Sequence, residues 1–270
     1  MVSPPLRAAA LSRRQKQEYE TMQKEKIIKC FNSGVSTYDS AADVQKIAVT
    51  QLSQKMLNIP AKKILEIGCG TGFLSDHLIS RYPNADILLT DIAPAMVSSC
   101  QQRFADYPKV KVSCMDGEAI TATIDYDLIA SSMTLHWFDD IQQGIKQMIA
   151  RLTTQGQLIF AMLGENSLLE WRQFCEMQKI PISTPRFPSV QALKKHFPTM
   201  QINSENWQQP YQHTHHFLST LKLLGAHASA MHHAPFSAGM LRKLMRDFDA
   251  KQRSSYYISY EIIYGSYIKS

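Results

Sequence analysis

Short apolar runs alternate with amphipathic stretches through the middle of the chain. Ile64, Leu65 and Ile67 make the first such run, of the kind that a strand covered on both faces requires. Comparable runs recur at 85–90, 110–115, 126–132 and 157–162. Between them the spacing is helical, as over 94–104, where Pro94 falls in the first turn, and over 142–152. Strand and helix alternating in this way imply a parallel sheet with right-handed crossovers. Ahead of the first strand, residues 24–57 also read as helical, with Ile27, Ile28 and Phe31 and then Val44, Ile47, Ala48 and Leu52 at three- and four-residue steps. Turn formers at 32–39 break that pattern, and Asp39 or Ser40 is placed to cap the helix that follows.

Beyond Leu163 the regularity loosens. The pattern predicts helices over 167–178 and 189–197 on either side of a proline-punctuated linker, and a weakly alternating strand over 200–216. Two more helices follow, over 217–225 and 239–251, and then a last strand over 255–264. The helices at 217–253 interrupt the hairpin that would close the sheet, so this insertion is expected to lie over the ligand edge as a lid. Residues 24–270 read as a single domain. Residues 1–23 precede it as a basic tail, with Arg7, Arg13, Arg14 and Lys16 and no acid before Glu18. An Arg-rich, acid-poor start also suits a transit peptide; we read it as a frayed lead-in.

The chain has 270 residues, of which 44% are hydrophobic and 19% charged, enough to bury one core of ordinary size. No apolar run has the length needed to cross a bilayer. The five cysteines include no C-x-x-C pair and are odd in number, which fits a reducing compartment and places the chain in the cytoplasm. Six of the nine histidines fall between His213 and His233, but no cysteine or carboxylate accompanies them, so no metal site is expected. A net charge of +6 favours acidic partners, nucleic acid and an acidic protein among them.

Candidate chemistry gathers at the strand ends. Gly68, Gly70 and Gly72 follow the first strand and remove side chains that would hold a ligand away from the backbone. Glu66 stands just before them, Asp91 ends the second strand and Asp116 follows the third. In open α/β sheets this edge is where ligands bind; an acid at the second strand end can take both ribose hydroxyls of an adenosine, and one at the third can take an adenine amine. Met96 is placed near the adenine position and Tyr38 before the loop, where it can wall the site. After the fourth strand come His136 and Trp137, the first a candidate base or neutral hydrogen-bond partner. No N/D-P-P-Y tetrapeptide follows that strand, which counts against a nucleic-acid base as substrate.

The run from Glu66 to Gly72 resembles motif I of class I S-adenosylmethionine-dependent methyltransferases. Over 26–269 the chain resembles the BioC family, malonyl-carrier-protein O-methyltransferases of biotin synthesis. The likeness rests on 31–39 (FNSGVSTYD), 65–72 (LEIGCGTG), 131–137 (SSMTLHW), 221–226 (LKLLGA) and 259–265 (SYEIIYG), with His136 standing where relatives commonly have glutamine. It implies a Rossmann-like α/β fold: a seven-stranded, mostly parallel sheet with a helical lid before the last strand. It implies S-adenosylmethionine as cofactor, held by Glu66, Gly68, Cys69, Gly70, Gly72, Asp91, Ile92, Met96, Asp116, Gly117, Glu118 and Ser131. Tyr38 and His136 become the catalytic candidates.

The implied acceptor is the free carboxylate of a malonyl group on acyl-carrier protein. With an ordinary pKa of about 4 it is already ionised at neutral pH, so no general base is required. A cation is expected to hold it, best an arginine. Arg242 and Arg246, one helical turn apart, and Arg172 are the candidates, with Lys222 and Trp137 as further substrate residues. Lys222, Arg242, Lys243, Arg246, Lys251 and Arg253 would together steer an acidic carrier. The chain is expected to act as a monomer, without nucleic acid or membrane. Two other readings stay open: methylation of another small acid or a phenol, and a non-catalytic assembly or binding role.

Overall fold

The apolar runs at 64–67, 85–90, 126–132 and 157–162 become inner strands because helices cover them from both sides, whereas the run at 110–115 forms an edge strand. The computed structural model describes residues 13–121, 124–180, 184–185, 187–227, 237–251 and 256–270. The strands are β1 (Lys63–Ile67), β2 (Asp86–Asp91), β3 (Val110–Cys114), β4 (Tyr126–Ser132), β5 (Leu152–Leu163), β6 (Gln201–Pro210) and β7 (Tyr257–Ile268). They form one sheet in the order β3-β2-β1-β4-β5-β7-β6. The first five pair in parallel, and β7 runs antiparallel between β5 and β6. The chain winds outward from β1 to β3 and then returns to β4 on the other side. The crevice that this reversal opens lies at the carboxyl ends of β1 and β4.

Two apolar cores fill the faces. One is covered by α3 (Asp43–Lys55), α4 (Phe73–Arg81), α5 (Pro94–Arg103) and α7 (Leu169–Met177), through Leu52, Leu78, Cys100 and Phe174. The other is covered by α6 (Ile141–Ala150) and α8 (Val190–His196), through Ile145, Met148 and Leu193. Between β6 and β7 lie α9 (Thr214–Leu223) and α10 (Ala238–Asp249), which join the first core through Phe217, Leu244 and Phe248. Among the described residues no helix is long and apolar enough to cross a membrane.

Several boundaries differ from those the pattern predicts. The first helix, α1 (Arg13–Gly34), starts eleven residues earlier, inside the expected tail, because its run of Arg, Lys, Gln and Glu holds good helix formers and no breaker. Asp39 and Ser40 do not cap a helix: they sit inside a single turn, α2 (Tyr38–Ala41), and α3 begins two residues after it. β6 ends at Pro210, since His213 turns the chain into α9 by accepting the His216 N–H at 3.0 Å. β7 extends to Ile268, where pairing with β5 continues to satisfy its backbone. Residues 1–12, His232, His233 and Arg253 lie outside the described residues.

The lid and the entry segment are fastened to each other. Gly34 and Gly225 face one another so closely that a Cβ on Gly225 would stand 2.6 Å from the Cys30 carbonyl oxygen, and one on Gly34 would stand 2.8 Å from the Gly225 nitrogen. The Thr37 hydroxyl adds a bond to the Leu223 carbonyl at 2.8 Å. Asn32 then accepts the Ala95 N–H at 2.9 Å, tying this corner to the start of α5. Gly225 also has φ +69°. Gly225→Ala therefore meets both a backbone collision and a left-handed penalty of about 1–2 kcal/mol, and should lower the melting temperature by at least about 4 °C. Gly239→Ala, in open space within α10, should leave the melting temperature unchanged or raise it; calorimetry on the two variants checks the contrast.

Candidate active site

The turn after β1 exposes its backbone. Gly68, Gly70 and Gly72 all have positive φ, at +73°, +54° and +102°. A Cβ on Gly68 would strike the Thr134 side chain, whereas one on Gly70 would meet nothing within 4 Å. The loop is thus wedged against the β4 side and bare towards the crevice. Its N–H groups are tied to the next strand: Gly68 and Cys69 donate to the Thr90 carbonyl, each at 2.8 Å. Gly70 donates to Asp91 Oδ2 at 2.9 Å, and Ala93 donates to Asp91 Oδ1 at 2.8 Å. Burial raises the Asp91 pKa, and these backbone bonds oppose the rise. Beneath the loop Glu66 is buried and takes the Ser75 hydroxyl at 2.7 Å; burial lifts its pKa to about 8.

Glu66, Gly68, Cys69, Gly70, Asp91, Ile92, Met96, Asp116, Gly117 and Glu118 all line one cavity above this edge. Gly72 stands just behind it as the residue before α4. Ser131 does not line it: strand alternation turns this side chain inward, where its hydroxyl donates to the Ile67 carbonyl at 2.8 Å. Ser132, one residue on, faces the cavity instead. Asp116 and Glu118 are paired with Lys24 of α1, at 2.7 and 2.9 Å, so the first helix is latched across the far end.

These residues fit S-adenosylmethionine. The hydroxyls of Thr71 and Ser132 are buried in the cavity wall without a hydrogen-bond partner. Leaving such a group unpaired costs about 1–3 kcal/mol, which marks a place where a polar ligand end belongs. The bare Gly70 backbone, Thr71 and Ser132 would hold the amino-acid end, Asp91 the ribose, and Ile92, Met96 and Asp116 the base.

A second cavity, of about 300 Å³, lies beneath the lid. Its wall is largely apolar, with Leu163, Trp171, Phe187, Leu221 and Leu244 among its residues. Phe31, Tyr38, Gln45, Met133 and Trp137 line both cavities, and so form the passage between them. Tyr38 stacks on Phe73 at 6.2 Å, and Phe31 meets Trp137 edge-on at 5.4 Å. Met133 is held in the left-handed region, φ +55°, with its N–H bonded to the Ala161 carbonyl at 2.7 Å. A side chain in that conformation costs of order 1–3 kcal/mol, a strain that clusters at functional sites.

Neither Tyr38 in this passage nor His136 beside it is poised to take a proton. Burial holds the Tyr38 phenol well above its usual pKa, and the nearby Asp91 charge adds to the effect. His136 lines the second cavity, buried, with its pKa lowered by burial to about 3. Its Nδ1 accepts the Leu163 N–H at 3.4 Å, which leaves the proton on Nε2. The residue is a neutral donor rather than a base.

The expected cations lie elsewhere. Arg242 and Arg246 occupy the outer, exposed side of α10, because Leu241 and Leu244 take its inner side. Lys222 is exposed on α9, whose Leu218 and Leu221 face inward. Arg172 spends its guanidinium on the carbonyls of Glu165 and Ser167. Among the described residues no lysine or arginine lines the second cavity.

Comparison with known proteins agrees with this geometry. A family model described as a methyltransferase domain matches residues 65–158. The chain is 33% identical over 240 residues to the malonyl-[acyl-carrier protein] O-methyltransferase of Magnetococcus marinus, covering 86% of this chain and 88% of that one. The chain belongs to the malonyl-[acyl-carrier protein] O-methyltransferase family. It is also 34% identical to the biotin biosynthesis bifunctional protein BioCD of Bordetella avium, covering 90% of this chain and 52% of that longer protein. The crystal structure of the YcgJ protein from Bacillus subtilis matches 83% of the chain with a TM-score of 0.59 at 13% identity, which shows the fold alone. As a member of this family the chain is an S-adenosylmethionine-dependent methyltransferase of class I architecture.

Sequence reasoning passed over Lys24, Gln45, Thr71 and Ser132. Gln45 left a trace, as a polar residue beside the apolar stripe of Val44, Ala48 and Val49 on α3. Lys24 left none, since its partners stand some ninety residues away. Glu66 yields a prediction in cofactor-free protein. Its folded pKa of about 8 exceeds the ordinary glutamate value, so the folded state binds the proton more tightly. Its stabilising contribution is complete below about pH 4.5 and is lost as the pH rises through 8. The wild-type melting temperature should fall between about pH 5.5 and 8.5, and Glu66→Gln should flatten that fall; thermal melts across this range check it.

Proposed function

We propose that this chain methylates the free carboxylate of a malonyl thioester presented by acyl-carrier protein, a step of early biotin synthesis. One observation carries the reading: the cofactor cavity opens into an apolar acyl cavity through a passage that, with His136 beside it, holds hydrogen-bond donors and, among the described residues, no working base. A carboxylate needs none, being ionised with a pKa near 4. A phenol, with a pKa near 10, would need one.

S-adenosylmethionine, when bound, supplies an electrophilic methyl on a positively charged sulfur. The protein supplies placement. Tyr38 and His136 present O–H and N–H donors, Phe31, Met133 and Trp137 narrow the passage and exclude water, and the lid covers the acyl arm. Holding the two reactants in line is worth ~7–11 kcal/mol of a barrier of this kind. For docking, the exposed Lys222, Arg242, Lys243, Arg246 and Lys251 lie on or beside the lid helices, where an acidic carrier would be drawn. The arginines thus serve the carrier surface rather than the substrate carboxylate.

The test is the intact mass of carrier protein after incubation with enzyme and S-adenosylmethionine. Malonyl-carrier should gain one methyl and acetyl-carrier none. The double variant Arg242→Glu, Arg246→Glu should raise KM for the malonyl-carrier and leave cofactor affinity unchanged. Methylation of acetyl-carrier, or no methylation of malonyl-carrier by cofactor-binding enzyme, would exclude the reading.

A further inference from the structure

Among the described residues, the passage between the two cavities contains a single side-chain amide. Gln45 projects from α3, lines both cavities, and its side-chain oxygen is buried without a hydrogen-bond partner. The other residues of the passage are Phe31, Tyr38, Met133 and Trp137, so the amide stands among rings and a thioether. A buried polar group left in this way is costly unless something binds against it. Half a turn about the last side-chain bond exchanges the carbonyl for the NH2, so the same group can offer an acceptor or a donor.

We propose that the Gln45 amide holds the acceptor carboxylate, donating an N–H to one oxygen so that the other faces the cofactor cavity. The assignment rests on the carboxylate reading above. It follows from position, since Gln45 is the amide common to both cavities, and from charge, since among the described residues no lysine or arginine lines the passage or the acyl cavity. It also follows from the chemistry. The acceptor arrives as an anion and leaves as a neutral ester, so a cation would bind the reactant most tightly and oppose progress to the transition state. An amide N–H bonds to a carboxylate and to an ester oxygen alike. The Tyr38 hydroxyl lines the same passage and can serve as the second donor.

The test uses the full chain and three variants. Gln45→Glu keeps the shape and sets a negative charge against the acceptor, Gln45→Leu keeps the bulk and removes the bond, and Gln45→Asn withdraws the amide by one methylene. Affinity for S-adenosylhomocysteine, read by calorimetry, serves as the check on folding. In Gln45→Leu, kcat/KM for malonyl-carrier should fall about ten- to hundredfold, as expected for a lost bond to a charged group. Gln45→Glu should fall further and Gln45→Asn in between, all with S-adenosylhomocysteine affinity within about twofold of wild type. A change of more than about tenfold in that affinity would mean that the amide faces the cofactor and would overturn the assignment. So would near wild-type turnover by Gln45→Leu. If wild-type enzyme binds S-adenosylhomocysteine but does not methylate malonyl-carrier, the acceptor reading falls and this assignment with it; if wild type and variants are equally active, only the assignment falls.

Discussion

The site depends on one carboxylate shared by two stretches of backbone. Asp91 ends β2 and takes the Gly70 N–H on one oxygen and the Ala93 N–H on the other. The loop after β1 and the turn before α5 are thereby fixed relative to one another, with the Gly70 backbone bare towards the crevice. Loops of three glycines are soft in isolation, since glycine loses more conformational freedom on ordering than any other residue. The bonds to Thr90 and Asp91 hold this one in register with the sheet. The first cavity, Tyr38 beside it and the second cavity beyond are all positioned from that fixed edge.

A second constraint is closure. α1 crosses the far end of the cofactor cavity through the Lys24 pair with Asp116 and Glu118, and its own end packs on the lid at Gly34 and Gly225. One helix therefore touches both cavities, which gives binding in one a physical route to the packing around the other. The exclusion of water that follows strengthens each donor at the passage, because hydrogen bonds gain in a low dielectric. It also accounts for the protonation states there. Burial keeps His136 neutral and, together with the nearby Asp91 charge, keeps Tyr38 protonated. The acceptor must supply its own charge.

Much of this was legible in the chain. Each inner strand announces itself by an apolar run, and Glu66, Asp91 and Asp116 mark the ligand edge because the carboxyl ends of parallel strands all point one way. The seven strands and the lid between the last two follow from the alternation and from the late resemblance. Other features need three dimensions. Ser131 and Ser132 are told apart only by the phase of a period-two strand, and the phase is set by which face the neighbouring helix covers. Arg242 and Arg246 sit on one helical face, as their spacing requires, but which face turns inward is decided by Leu241 and Leu244, which line the second cavity. Lys24 acts on partners distant in sequence, and no local pattern reports such contacts.

The central claim is that the passage orients an acceptor already ionised and moves no proton. The measurement that tests it most directly is the pH dependence of kcat with malonyl-carrier and S-adenosylmethionine both saturating. With His136 near 3 and the acceptor near 4, the rate should stay level across about pH 6 to 8.5. A bell-shaped profile, or a rise governed by an ionisation near neutrality, would place a general base in the reaction and contradict the account.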